Sequence, residues 1–259
     1  MTLAALQNLA GRVALVTGGS RGLGLQMAEV LGELGAKVAI TARKKHELDE
    51  AASHLKAMGI EALPVVCDMA ELAAIPAMVE QVIAALGPID ILVNNAGTTW
   101  GSPTIDHPLA AWQKVITLNL TAIFVVTQEV GRRCMVPRLR GKVINIASIQ
   151  GLTGSYPEGI PTLAYNASKG AVVNLTRTLA NEWAPLGINV NAIAPGYFPT
   201  KMTAAIEAAL GEDATAEMAP MGRVGGPEDL KGVTALFASD ACAFITGQTL
   251  AVDGGLTAV

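Results

Sequence analysis

The chain has 259 residues, enough for one large domain or two small ones, and 51% of them are hydrophobic against 15% charged. That balance is expected where helices cover both faces of a parallel sheet. A net charge of −4 with a pI near 5.4 argues against a nucleic-acid or anionic-membrane surface. Cys67, Cys134 and Cys242 are odd in number, far apart and match no zinc spacing, so reduced thiols, a cytoplasmic location and no metal centre are expected. The opening stretch from Met1 to Asn8 has no basic region and predicts no secretory leader. No uncharged apolar run reads as a membrane span.

Arg12 to Thr17 reads as a buried strand, followed at once by glycines and a helix from Leu23 to Leu34 that Gly35 ends. Lys37 to Thr41 gives a second strand, His46 to Met58 a charged helix, and Ala62 to Cys67 a third strand. A helix over Ile75 to Leu86 leads to strand Ile89 to Val93, and one long helix is predicted from Leu109 to Val136. Lys142 to Ala147 is the fifth strand, Leu163 to Ala180 a helix, Asn189 to Ile193 the sixth strand and Thr249 to Val252 the seventh. Strands alternating with helices imply right-handed crossovers and a doubly wound α/β fold, one seven-stranded parallel sheet with helices on both faces. No repeat, low-complexity tract or linker interrupts residues 1–259, which read as a single domain with ligands at the carboxyl ends of its strands.

The first strand runs into Thr17-Gly18-Gly19-Ser20-Arg21-Gly22-Leu23-Gly24. Glycines there permit positive φ and let backbone N–H groups at the helix N-terminus approach a pyrophosphate. The spacing is a T-G-x-x-x-G-x-G variant of the dinucleotide fingerprint, informative because it sits at the first strand-to-helix junction. The same residues fit G-x-S-x-G with Ser20 as nucleophile, but the only histidines, His46, His54 and His107, all lie before the last three strands, so a hydrolase triad fails. His46-Glu47-Leu48-Asp49-Glu50 lacks the second histidine of a metalloprotease helix. The second strand ends Thr41-Ala42-Arg43-Lys44-Lys45, with no carboxylate until Glu47. Arg43, joined by Arg21 from the glycine turn, suits the 2′-phosphate of NADP(H), which is favoured over NAD(H).

Asp68 follows the third strand, where it serves equally as an acceptor for adenine or as a turn residue. Asn94-Asn95-Ala96-Gly97 ends the fourth, Asn119 sits between leucines in the long helix, and Ser148 ends the fifth strand facing the ligand crevice. Tyr165 and Lys169 are four apart on one helix and share a face. An ammonium about 4 Å from a phenol, at an effective dielectric near 20, favours the phenolate by roughly 4 kcal/mol. That predicts a tyrosine pKa lowered by up to about three units. Alone, such a pair reads first as a half-exposed helix surface.

Together these residues resemble the classical short-chain dehydrogenase/reductase family, whose fold is of the Rossmann type. The matching features run from Thr17-Gly18 through Gly24, Asn94-Asn95-Ala96-Gly97, Asn119, Ser148, Tyr165 with Lys169, and Pro195-Gly196 with Thr200, to Asp253-Gly254-Gly255. The resemblance implies that Tyr165 is the general acid in reduction and base in oxidation. It implies that Lys169 lowers its pKa and holds the nicotinamide ribose, and that Ser148 hydrogen-bonds the substrate oxygen. Asn119 would hold a water linking Lys169 to solvent. Gly18, Ser20, Arg21, Gly22, Leu23, Gly24, Asn95, Ala96 and Gly97 would cradle the dinucleotide, with Pro195, Gly196, Phe198 and Thr200 on the nicotinamide. A homotetramer or homodimer is implied, with a small carbonyl or alcohol substrate.

Two segments stand apart as substrate loops, about 151–164 and 197–221. Ser148 and Tyr165 are seventeen positions apart, several more than is usual in the family, the extra residues lying in Gly151 to Pro161. The second segment holds Met202, Met218 and Met221 and few charges, which favours an apolar or amphipathic substrate. The stretches around Thr98 and Tyr197 look most like bacterial β-ketoacyl reductases, with gluconate and other polyol dehydrogenases next. A catalytically silent dinucleotide-sensing regulator is the non-enzymatic alternative.

Overall fold

The computed structural model describes residues 1–154, 161–201 and 211–258. Strand β1, Val13–Thr17, is buried along its whole length, and its side chains alternate between two cores. Ala14 and Val16 join one apolar cluster, Val13 and Leu15 another on the opposite face. That period-two division is the mark of a strand covered on both sides. The others are β2 Lys37–Ala42, β3 Ala62–Val66, β4 Ile91–Asn94, β5 Gly141–Ile146, β6 Ile188–Pro195 and β7 Thr249–Val252. They form one seven-stranded sheet in the order β3-β2-β1-β4-β5-β6-β7, every pair parallel. The chain winds outward from β1 to β3 and then returns to β4. The carboxyl ends of β1 and β4 therefore flank the switch point where a crevice opens.

Helices α1 (Leu3–Gln7), α2 (Gly22–Glu33), α3 (Lys45–Ala57) and α4 (Ile75–Leu86) precede the long helical run. That run is not the unbroken helix expected. It is α5 (Leu109–Ile116), a π turn (Thr117–Thr121), α6 (Ala122–Val130), a second π turn (Gly131–Met135) and a 3-10 turn (Val136–Arg138). The first π turn contains Asn119, whose amide is bonded outside its own helix, and the second begins at Gly131, where a Cβ would stand 2.7 Å from the Trp183 ring. Insertions of this kind are how a helix accommodates a side chain or close neighbour its regular spacing cannot. By length and composition alone Leu109–Arg138 could cross a membrane, contrary to expectation. Here its Ile123, Val126, Val130 and Cys134 are buried in the cores of the fold.

Helix α7, Leu163–Trp183, carries Tyr165 and Lys169 and lies beside β6. Beyond it come α8 (Glu212–Glu217) and α9 (Lys231–Ala238). Helices α1, α8 and α9 were not foreseen. For α9 the reason is visible: Gly232, Val233, Thr234 and Phe237 are poor helix formers, and the helix owes its existence to packing of Val233 and Phe237 into the core beside α2. The three cysteines are free and buried.

Candidate active site

The glycine turn has the shape its sequence suggested, and its neighbours explain why. Gly18 and Gly22 have φ of +65° and +53°, the left-handed region that glycine enters without strain. Gly24 is needed for closeness instead, since a Cβ there would lie 2.3 Å from the Gly18 carbonyl oxygen. Arg21 occupies the N-cap of α2 and caps none of its N–H groups with its side chain, which leaves donors available to an anion. Asn95 locks the turn to β4: its Nδ2 donates to the carbonyls of Thr17 and Gly18, each at 3.0 Å. The Thr17 hydroxyl in turn accepts from the backbone of Asn95 (3.0 Å) and Ala96 (3.1 Å).

A cleft of about 550 Å³ runs across these strand ends. Gly18, Ser20, Arg21, Gly22, Leu23 and Gly24 line its first part, Arg43 and Asp68 one end, and Asn95, Ala96 and Gly97 its middle. Ser148, Tyr165 and Lys169 meet Pro195, Gly196, Phe198 and Thr200 at the other end. An elongated cavity with free helix N–H groups in the centre and cations at one end fits a phosphorylated dinucleotide. Asp68 accepts from the backbone N–H of Ala70 at 3.0 Å and lies 3.9 Å from Arg43, so it serves as a turn residue while also bordering the cleft. Phe198 is buried, lines the cavity and lies so close to Gly225 that a Cβ there would stand 2.4 Å from its ring.

The reactive corner is built by the end of β5 and the first turns of α7. Ser148 follows β5; its Oγ accepts from the Gln150 N–H at 3.2 Å and hydrogen-bonds the Tyr165 hydroxyl. Tyr165 comes from the first turn of α7, and Lys169, one turn on, is buried with its Nζ 5.6 Å from the centre of the Tyr165 ring. The expected lowering of the Tyr165 pKa is not what the free protein has. Burial raises the phenol, and the Ser148 hydrogen bond only partly offsets it. Lys169 Nζ for its part donates to the carbonyl of Ile146 at 2.6 Å. Burial also lowers Lys169, to about 8.

Asn119 does not line the cleft. It is fully buried behind the corner, where its Oδ1 accepts from the Thr98 N–H at 2.8 Å. Its Nδ2 donates to the Thr98 carbonyl at 2.9 Å and to Ser168 Oγ at 3.1 Å. Its side chain is thus committed to fixing the wall beside Lys169. Gly151 also belongs to that wall, its Cα so close to α7 that a Cβ would lie 2.6 Å from the Lys169 carbonyl carbon. The rest of the expected first substrate loop includes 155–160, outside the described residues, as does Met202 in the second. Met221 is exposed and lines a separate cavity of about 160 Å³ with Tyr197, Arg223 and Asp253. It therefore gives no support to an apolar cover over Tyr165. Lys44, Glu47 and Lys201 line the cofactor cleft and were not foreseen as site residues, although Lys44 and Glu47 stand in the charged stretch after β2 that suggested the phosphate.

The sequence matches the short chain dehydrogenase family over residues 12–211. It is 40% identical to the gluconate 5-dehydrogenase of Gluconobacter oxydans (strain 621H) over 97% of both chains. It is also 40% identical to a rhamnolipids biosynthesis 3-oxoacyl-[acyl-carrier-protein] reductase of Pseudomonas aeruginosa, over 96% of this chain and 97% of that one. Among solved structures, a gluconate 5-dehydrogenase from Burkholderia cenocepacia J2315, in complex with NADP and tartrate, superposes with a TM-score of 0.92 at 38% identity over the whole of both chains. With the glycine turn, the Ser148–Tyr165 contact and the buried Lys169 in place, the chain belongs to the short-chain dehydrogenase family.

Proposed function

We propose that this chain interconverts a secondary alcohol and a ketone on a small polyhydroxy acid of the gluconate type, using NADP(H). The observation that carries the chemistry is the convergence of Ser148, Tyr165 and Lys169 at one end of a dinucleotide-shaped cleft. The bound nicotinamide supplies or accepts the hydride. The protein's own residues handle the oxygen and the proton. Ser148 Oγ donates to the substrate oxygen, a fixed donor of the kind that stabilises a developing alkoxide. Tyr165 gives its proton to that oxygen in reduction and takes it back in oxidation. Lys169, with a pKa of about 8, carries its charge at neutral pH, and an ammonium released from Ile146 toward the phenol would favour the phenolate that the free protein does not have. Asn119 holds Thr98 and Ser168 around that corner, so a water relay there would have to use the backbone of the π turn.

Cofactor choice follows from charge. Arg21, Arg43 and Lys44 stand at the cleft end beyond β2, and no acidic residue ends that strand to hold a free 2′-hydroxyl. The substrate assignment draws on the gluconate-type relatives and on the tartrate, itself a polyhydroxy acid, in the Burkholderia complex. It also draws on the polar chain flanking the reactive pair, where the Thr162 hydroxyl links Gln150 (3.2 Å) and Asn166 (2.9 Å). The Pseudomonas relative keeps a β-ketoacyl thioester as the second reading. A silent nucleotide sensor would have no need for the Ser148–Tyr165 contact. Exposed apolar side chains at Phe124, Phe244 and Leu250 support a homodimer or homotetramer.

The deciding experiment follows NADPH absorbance with D-gluconate in oxidation, and with 5-keto-D-gluconate and an acetoacetyl thioester in reduction. Turnover of the sugar acids in preference to the thioester is expected. Preference for the thioester would reverse the assignment.

A further inference from the structure

Glu47 lies in the first turn of α3, only 14% of its side chain is exposed, and three cations close on it. Its Oε1 is 2.8 Å from Arg21 NH1, 3.3 Å from Lys44 Nζ and 3.8 Å from Lys201 Nζ. The three come from separate parts of the chain: the glycine turn, the end of β2 and the segment after β6. All four residues line the cofactor cleft. Arg43 stands outside the cluster, 65% exposed, with Asp68 at 3.9 Å. Burial pushes the Glu47 carboxyl upward, but the Lys44 hydrogen bond and the charges of Arg21, Lys44 and Lys201 outweigh it and hold the pKa below its ordinary value. Glu47 is therefore an anion at neutral pH, placed among cations that border a site for an anionic ligand.

Three positive charges against one negative leave a local excess of two. A phosphate monoester carries about −1.5 to −2 at neutral pH, so the excess matches one such group. We propose that Glu47 is a built-in counter-ion of the cofactor's 2′-phosphate subsite, gathering Arg21, Lys44 and Lys201 in the free protein and sharing them with the phosphate, and that Lys201 is a further cation of that subsite beside Arg21, Arg43 and Lys44. The proposal rests on the NADP(H) reading above.

Two effects of Glu47 oppose each other. It repels the phosphate, and it keeps long cationic side chains from dispersing. Repulsion wins, because the backbones of Arg21 and Lys44 are fixed at the N-caps of α2 and α3 on the cleft wall, so both cations stay within reach of the phosphate when Glu47 no longer holds them. Glu47 thus moderates cofactor affinity, and it does so only for a ligand that carries the phosphate.

Calorimetric titration of the full chain with NADP⁺ and with NAD⁺ tests this. Glu47→Gln keeps the size and removes the charge; it should tighten NADP⁺ by roughly tenfold and leave NAD⁺ within about twofold, with a steeper loss of NADP⁺ affinity as salt is raised. Lys201→Met, at a side chain 72% exposed and so harmless to folding, should weaken NADP⁺ by roughly tenfold with NAD⁺ unchanged. If Glu47→Gln weakens NADP⁺, leaves it unchanged, or moves both cofactors equally, the counter-ion role is wrong. Equal effects of Lys201→Met on both cofactors, or no effect on NADP⁺, would remove Lys201 from the subsite. A wild-type protein that binds NAD⁺ as tightly as NADP⁺ would instead overturn the NADP(H) reading itself, and this proposal with it.

Discussion

Lys169 Nζ donates to the main-chain carbonyl of Ile146 at 2.6 Å, a bond that ties the active-site helix to the end of β5. The bond does not compensate for taking an ammonium out of water, and burial brings the lysine from 10.5 to about 8. Below about pH 8 both folded and unfolded chains carry the proton, and the folded state bears the full penalty. Between about 8 and 10.5 the unfolded chain keeps a proton the folded chain has released, so this group's contribution to stability rises with pH. Lys169→Met should therefore be more stable than the parent at pH 7, by on the order of 2–3 kcal/mol. The gap should close toward pH 10.5. Urea denaturation of both proteins across that range checks it; a gap that stays constant would show that the lysine is not carrying a buried charge.

Tyr165 should hold its proton in the free protein. Its phenol is pushed up by burial, and the Ser148 hydrogen bond offsets that only in part. In ultraviolet titrations the difference between the parent and Tyr165→Phe should show no phenolate below about pH 10. Phenolate absorbance already present near pH 7 without cofactor would contradict the geometry. The same variant should lose at least about 10²-fold in turnover if Tyr165 is the proton carrier, while NADP⁺ affinity changes little.

How far this was legible from sequence depends on whether a contact is local. The glycine turn, the seven strands and the four-residue spacing of Tyr165 and Lys169 are written in short-range pattern, and the structure has them where the pattern put them. The direction of the Lys169 side chain is not, because the carbonyl that takes it belongs to Ile146, twenty-three residues away. Helix α9 gives a weak local signal because Gly232, Val233, Thr234 and Phe237 interrupt its good helix formers and packing on distant α2 holds it. The π turn at Asn119 was invisible because its cause, the backbone of Thr98, lies on another segment. Lys201 joined the cleft for the same reason: nothing near it in sequence announces Glu47.

The glycines make a paired test of the turn. A Cβ at Gly24 would lie 2.3 Å from the Gly18 carbonyl oxygen and 2.5 Å from Asn95 Nδ2, neither of which can retreat without opening the β1–β4 junction. Gly24→Ala should weaken NADP⁺ binding by at least about 10²-fold, a loss of about 2.7 kcal/mol or more, and lower the melting temperature. Gly232 in α9 has open space around its Cα and an ordinary helical φ. Gly232→Ala should raise stability by about 0.5–1 kcal/mol and leave binding alone. Melting curves and cofactor titration on the two variants separate the effects; similar behaviour of both would mean that the turn tolerates a side chain.

At the amino-terminal ends of the central strands, Asp90 does a purely structural task. Its side chain is 3% exposed, its Oδ2 accepts from the Val13 N–H at 3.0 Å, and its Oδ1 accepts from Arg138 at 2.9 Å and Arg140 at 3.0 Å. Its backbone joins β1 to β5 through Val13 and Lys142. Arg138 also donates to the carbonyls of Ile89 and Cys134, so it cannot swing into solvent when its partner is removed. Breaking a buried pair leaves an uncompensated charge and typically costs 3–5 kcal/mol; because Arg140 is more than half exposed, the lower end applies. Asp90→Ala should lose about 3 kcal/mol. Asp90→Asn, which keeps an acceptor for Val13 but not the charge, should lose less. Both should keep the parent's NADP⁺ affinity, since the site is at the other end of the strands. Denaturant midpoints for the three proteins decide it, and an Asp90→Ala variant within about 0.5 kcal/mol of the parent would mean that water replaces the carboxylate at this end of the strands.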